Sequence, residues 1–328
     1  NKLYIPFKIT LPSQRKLLFE YTSYITSVNN SLYFGIANWV HCRKYGTGYE
    51  LKSAIYCSLI SMFIRTSKNL EYLSLNEIIC SQLVFEKLYE NTTITSLNLN
   101  NLINIFRSKT MDVLIKVLYK NSTLTSLNLS TPSWREWSSR KGIGSEGGKA
   151  FADVICQKNI LKDLNLQHNN LGSEEGKTLA GVLCKDTSLT SLNLSYNFIG
   201  PEGGKALADA LCINITLKNL NLRHINLDSE GGKALADALC KNVTLTSLNI
   251  CENSLGSEGG RVLADALCKN TALISLNLQK NNLGSEGGKA LADAICMNAT
   301  LTSLNLAYNN LGPEGGKALA DALYKNTA

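Results

Sequence analysis

The chain has only three histidines, no Cys-x-x-Cys pair and no uncharged apolar run approaching 18 residues. Each shortage removes a class of function. The longest apolar candidate, Ser53 to Ile64, is too short and too rich in Ser and Tyr to span a bilayer, so no membrane partner is expected. Without paired cysteines neither a zinc ribbon nor a thioredoxin-like redox site has support. His41, His168 and His224 stand in no recognisable motif with a Ser or Cys nucleophile, and no catalytic residue is expected. Charged residues make up 18%, too few for a disordered polyelectrolyte, while 44% are apolar, ample for a core. The chain starts at Asn1 rather than Met and reads as a fragment, so a missing leader carries no weight.

Charge is unevenly placed. Residues 1–141 hold 17 Lys/Arg against 8 Asp/Glu, whereas residues 142–328 hold 16 against 18. Neither part has a long basic run with interleaved aromatics, which argues against nucleic acid as the partner.

The ten cysteines gain meaning from their spacing. Cys156, Cys184, Cys212, Cys240, Cys268 and Cys296 fall 28 residues apart, each closing a segment such as Ala210-Leu211-Cys212. This is one structural position repeated, read as a small buried hydrophobe. So many unpaired thiols suit a reducing compartment, the cytoplasm or nucleus. The Asn-x-Ser/Thr triplets, such as Asn214-Ile215-Thr216, arise from the same repetition.

The period is set by leucine. Leu161, Leu189, Leu217, Leu245, Leu273 and Leu301 are 28 residues apart, and looser copies start at Leu70, Ile94 and Leu124. Nine copies at a near-fixed period imply a solenoid. Leu192 and Leu194 alternate with Asn193, the pattern of a strand with one buried face. Asn197, in the turn that follows, is suited to satisfying backbone groups that burial would otherwise orphan. Pro201 suits a first helical turn, and Lys205 to Cys212 carries a helical pattern with Leu207, Ala210 and Leu211 on one face. Lys205 and Asp209 are placed for an i,i+4 pair. Asn214 is read as a left-handed residue closing the helix. One such unit cannot bury its own apolar face, but stacked copies can.

The expected fold is therefore α/β: a right-handed solenoid bent into a horseshoe, with a parallel β-sheet on its concave face and α-helices on its convex face. Residues 1–69 lack the repeat. With a helical pattern over Glu50–Arg65, they are expected to form a mostly helical N-terminal cap. Residues 70–328 form the repeat domain, irregular over 70–141 and regular over 142–328. The last residues, Lys325-Asn326-Thr327-Ala328, repeat the phrase that leads into a further strand, so either the chain is cut there or its last helix is exposed.

The run Leu301-Thr-Ser-Leu304-Asn-Leu306-Ala-Tyr-Asn309-Asn-Leu311-Gly312-Pro-Glu-Gly-Gly-Lys-Ala-Leu319 resembles the ribonuclease-inhibitor-like leucine-rich repeats. The resemblance is close over 142–328 and looser over 70–141. It implies a scaffold or substrate-recognition module that contacts another protein through the concave face and the strand-to-helix loops. One branch of that family, similar to Ran GTPase-activating protein, implies a regulator of a small GTPase; Arg135 and Arg140 would suit its assisting arginine, but its acidic tail is absent. The stretch from Pro6-Phe7-Lys8 to Arg15-Lys16-Leu17-Leu18 resembles segments that follow the F-box in fungal repeat proteins, implying a ubiquitin-ligase substrate receptor.

Positions that vary between copies are the candidates for specificity. Asn98, Asn128, Asn165, Asn193, Asn221, Asn249, Asn277 and Asn305 form a uniform ladder, expected to be a solvated face that discriminates little. Three positions further on the residues change: His168, Tyr196, His224, Glu252, Lys280 and Tyr308, beside a column that includes Arg223. Mixed aromatic and charged side chains on one rim are what a specific interface uses. His168 and His224 are two strands apart, roughly 10 Å, too far to share a metal ion. The step from Leu124 to Leu161 is nine residues longer than standard, and the excess carries Trp134, Arg135, Trp137 and Arg140 in one loop, the strongest expected contact site. Gly172-Ser-Glu-Glu-Gly176-Lys177-Thr178 ends like a phosphate-binding loop but has three residues between its glycines where four are needed. Its glycines are read instead as allowing close chain approach. No cofactor, metal or small-molecule substrate is expected.

Overall fold

The computed structural model describes residues 24–42, 49–76, 82–101, 108–131 and 145–326. The chain divides into two compact units, Asn1–Asn128 and Leu129–Ala328. The first unit contains β1 (Ser27–Val28), α1 (Ser31–Cys42), α2 (Tyr49–Thr66), β2 (Tyr72–Asn76), α3 (Gln82–Glu90), β3 (Ser96–Asn101), α4 (Ser108–Lys120) and β4 (Ser126–Asn128). Its strands pair in chain order and all in parallel. The helix read over Glu50–Arg65 is α2. The Tyr56 hydroxyl on its buried face donates to the Ser74 carbonyl of β2 at 3.2 Å. Strand β1, within the residues read as a cap, is hydrogen-bonded to β2.

The second unit contains α5 (Ser145–Lys158), β5 (Asp163–Asn165), α6 (Ser173–Leu183), β6 (Ser191–Asn193), α7 (Gly200–Leu211), β7 (Asn219–Asn221), α8 (Ser229–Leu239), β8 (Ser247–Asn249), α9 (Gly256–Leu267), β9 (Ser275–Asn277), α10 (Gly284–Met297), β10 (Ser303–Asn305) and α11 (Gly312–Lys325). Strands β5 to β10 also pair in parallel and in chain order, with the central Leu opposite Leu and the last Asn opposite Asn in every pair. A period without slippage leaves each strand's leucines facing the same interior. Leu192, Leu194, Leu207 and Leu211 of one copy are all buried there. Strands form one layer and helices the other, the α/β solenoid expected. No helix among the described residues is long and apolar enough to cross a membrane.

Local details bear out the sequence reading in one place and correct it in three. Helix α7 begins at Gly200 with Pro201 in its first turn, as read, so the Gly-Gly pairs lie in the opening turns of the helices. A Cβ on Gly203 would sit 2.5 Å from Ile199 Cγ2 and 3.2 Å from the Ser173 carbonyl oxygen, so glycine there lets α6 and α7 close up. Asn214 is not left-handed. Its side-chain oxygen accepts from the Thr216 and Leu217 N–H groups at 3.1 and 2.8 Å, while its NH2 donates to the Leu183 carbonyl of the preceding coil at 2.8 Å. The cysteine column is not buried: Cys184, Cys240, Cys268 and Cys296 are exposed. The buried position is the preceding Leu183 or Leu211, and one residue further the helix has turned by about 100° toward solvent. Ion pairs on the helix surfaces run i,i+3 from the first-turn glutamate, as in Glu230–Lys233 at 2.8 Å, rather than i,i+4.

Candidate functional site

Each strand of the second unit ends in the same tight turn, and the turn explains which side chains face outward. In the uniform ladder the Asn oxygen accepts the backbone N–H two residues on. Asn165 receives it from Gln167, Asn193 from Ser195, Asn221 from Arg223, Asn249 from Cys251, Asn277 from Gln279 and Asn305 from Ala307, at 3.0 to 3.1 Å. These amides are local turn-formers. Their oxygens are committed to the backbone, which explains the uniformity more directly than a solvated face does.

The next asparagines lie deeper. Asn197 is buried; its oxygen accepts from Asn169 and Leu171 N–H of the preceding coil at 2.9 and 3.0 Å, and its NH2 donates to the Leu166 and Leu194 carbonyls at 3.0 and 2.7 Å. Asn253 repeats the arrangement against Ile225 and Leu227. Each amide ties two coils together through otherwise orphaned backbone groups, the role read for Asn197 from its place in the turn.

Between these two ladders stand the six varied residues, all left-handed: His168 (φ 59°), Tyr196 (58°), His224 (52°), Glu252 (57°), Lys280 (56°) and Tyr308 (57°). The conformation costs a residue with a Cβ roughly 1–2 kcal/mol, and glycine is its default occupant. None of the six is glycine. The N–H groups of the first five hold the strained turn by donating to the next coil, as Tyr196 does to the Arg223 carbonyl at 2.8 Å and Glu252 to that of Gln279 at 2.8 Å.

Their side chains join into one strip. The His168 and Tyr196 rings stack with centroids 4.4 Å apart, and Tyr196 meets His224 at 5.3 Å. The Arg223 guanidinium lies 5.0 Å from the centre of the Tyr196 ring. It also donates to both oxygens of Glu252, from Nη2 at 3.0 Å and from Nε at 3.3 Å. Lys280 Nζ donates to Glu252 Oε1 at 2.8 Å and lies 5.8 Å from the centre of the Tyr308 ring. His224 Nδ1 stands 4.0 Å from Glu252 Oε2. All six varied residues and Arg223 are thus linked across six coils. Trp134, Arg135, Trp137 and Arg140 lie outside the described residues.

Hydrogen bonds from Arg223, and next from Lys280, hold the Glu252 carboxyl down at about 2, outweighing its partial burial. A depressed carboxylate stabilises the fold fully above its ordinary value near 4.5, and this contribution is lost as pH falls toward 2. Urea titrations between pH 6 and 2 should therefore show a decline in stability that Glu252→Gln reduces. An identical decline in that variant would remove the carboxylate as its source.

The leucine-rich-repeat family profile matches residues 157–180, 185–208, 214–236, 241–264, 269–292 and 298–320. Among solved structures, the chain is similar to the leucine-rich repeat-containing protein LegL7 from Legionella pneumophila, at 22% identity and a TM-score of 0.50, over 81% of this chain and 93% of that one. It also aligns with the tropomodulin C-terminal domain of Caenorhabditis elegans at 18% identity and a TM-score of 0.40, over 46% and 92%. Leiomodin-1 actin-binding site 2 aligns at 24% identity and a TM-score of 0.41, over 47% and 88%. No curated protein matches the chain. Six matched copies and strands stacked in chain order lead to one assignment: residues 157–320 carry leucine-rich repeats, consistent with the ribonuclease-inhibitor-like kind and indicating a protein-interaction module.

Proposed function

We propose that this chain is a protein-binding scaffold whose contact surface is the strip from His168 to Tyr308, with the Trp134–Arg140 loop as a second anchor. The observation that carries the reading is the set of six left-handed, non-glycine residues. The backbone there favours glycine, yet every position keeps a large or charged side chain, and those side chains touch one another. Tyr and Arg concentrate binding energy at interfaces, and a linked set held in one geometry loses little entropy when a partner docks.

Cross-linking and affinity capture from a cell extract, comparing the native chain with Tyr196→Ala, tests the strip. Recovery should fall at least tenfold, about 1.4 kcal/mol, because truncation removes the ring that His168, His224 and Arg223 pack against. Equal recovery by a folded Tyr196→Ala protein would end the proposal for the strip. Trp134→Ala/Trp137→Ala, run alongside, asks the same of the loop.

A further inference from the structure

The charges of the repeat region are sorted between its two sides. The six strand-and-turn segments, 161–168 and its equivalents up to 301–308, contain four of the 16 Lys/Arg of residues 142–328 but only two of the 18 Asp/Glu. Everything else in that region holds 12 against 16. A region that is acidic as a whole therefore carries a cationic excess on its strand-and-turn segments, with Lys162 and Lys218 just before β5 and β7 and Arg223 and Lys280 just after β7 and β9. The cations are Lys162, Lys218, Arg223 and Lys280; the acids are Asp163 and Glu252. Glu252 is already neutralised by Arg223 and Lys280.

Resting on the binding role of the strip, we propose that its partner presents an acidic polypeptide segment, lying across the strand ends with carboxylates facing Arg223 and Lys280, while Lys162 and Lys218 at the strand starts add to the field that draws it in. Glu252 acts as the internal template. It holds the Arg223 guanidinium by two of its five N–H donors and the Lys280 ammonium by one of its three, leaving donors for a further carboxylate. Glu252 keeps only 17% of its side chain exposed, whereas Arg223 and Lys280 keep 38% and 50%, so a docking chain meets the cations first. Arg223 and Lys280, both past the strand ends, are two strands apart. That is roughly 10 Å, the rise of three residues in an extended chain. The matching segment is extended, with acidic residues at every third position. Opposite fields on the two sides of the region orient such a chain before contact and make its capture sensitive to salt.

The test uses two fluorescent 12-residue peptides, (Glu-Ser-Gly)4 and (Lys-Ser-Gly)4, titrated with the whole chain at low and at 0.3 M salt. The expected result is binding of the glutamate peptide only, weakened at least tenfold by the added salt and at least tenfold by Arg223→Gln/Lys280→Gln. Lys233→Gln/Lys289→Gln removes the same charge from the helix side and should change affinity less than twofold. Lys162→Gln/Lys218→Gln, which leaves the Glu252 network intact, should also lose several-fold and covers the case in which the first pair impairs folding. Equal effects of the strip and helix-side pairs, binding of the lysine peptide, or no binding of the glutamate peptide would overturn the acidic partner. Tighter binding of a uridine homopolymer through the same cations would overturn it in favour of nucleic acid. If Tyr196-dependent capture from extract persists while the glutamate peptide fails, the acidic partner is wrong and the binding strip stands.

Discussion

Replacing Asn253 by alanine should destabilise the second unit by about 3 kcal/mol or more, as read from urea or thermal unfolding. The size follows from what the amide holds. Its oxygen accepts the Ile225 and Leu227 N–H groups at 3.2 and 3.0 Å, and its NH2 donates to the Leu222 and Ile250 carbonyls at 3.0 Å each. All of these are buried, and a buried donor left without a partner costs about 1–3 kcal/mol. An internal control lies one coil further on, at Asn281. That amide donates to the Ile250 and Leu278 carbonyls at 2.9 and 3.0 Å, but its buried oxygen accepts nothing. Asn281→Ala should therefore cost less than Asn253→Ala, the difference reporting the two accepted bonds. Equal losses would mean that packing volume, rather than the bonds to Ile225 and Leu227, sets the cost.

The same pair shows how far the sequence could be read. Leucines 28 residues apart gave the strands, because a buried face imposes alternation and a repeated coil imposes a period. Asn197 was legible as a backbone partner from its place in a turn between apolar residues. That Asn281 and Asn253 bond differently was not, since the difference depends on which backbone groups of the preceding coil point inward. Ile225 stands where neighbouring copies have Asn197 and Asn253, and its own N–H is still held by Asn253. The site divides in the same way. Columns at fixed spacing picked out His168, Tyr196, His224, Glu252, Lys280 and Tyr308, with Arg223 beside them. Their left-handed backbone, and the bidentate bond between Arg223 and a glutamate 29 residues later, follow from turn geometry that composition does not encode. The cysteine column was misread because period alone cannot distinguish the last buried residue of a helix from the first exposed one.

Gly203→Val should destabilise by a further route, at about 3 kcal/mol, and should change how the chain unfolds as well as when. Alanine would already place its Cβ 2.5 Å from Ile199 Cγ2, 3.2 Å from the Ser173 carbonyl oxygen and 3.3 Å from Ser173 Cα. The Ile199 side chain is fully buried and the Ser173 atoms are backbone, so relief requires α6 and α7 to move apart. Helix propensity works the other way by only a few tenths of a kcal/mol for valine over glycine. In a stacked array, stability is close to a sum of coil terms and nearest-neighbour interface terms. A wedge at one interface weakens the coupling between the coils before and after it while leaving both blocks otherwise intact. Unfolding of Gly203→Val is therefore expected to broaden or separate into two transitions, read by tryptophan-independent probes such as far-ultraviolet circular dichroism and hydrogen exchange. Gly200→Val makes the contrast: nothing lies within 4 Å of a Cβ there, and its φ of 66° is the only obstacle. That variant should lose about 1–2 kcal/mol for the left-handed backbone and keep one transition. A single sharp transition in both, with equal losses, would show that the glycines serve turn geometry alone and that the helices of this solenoid do not depend on close approach at Gly203.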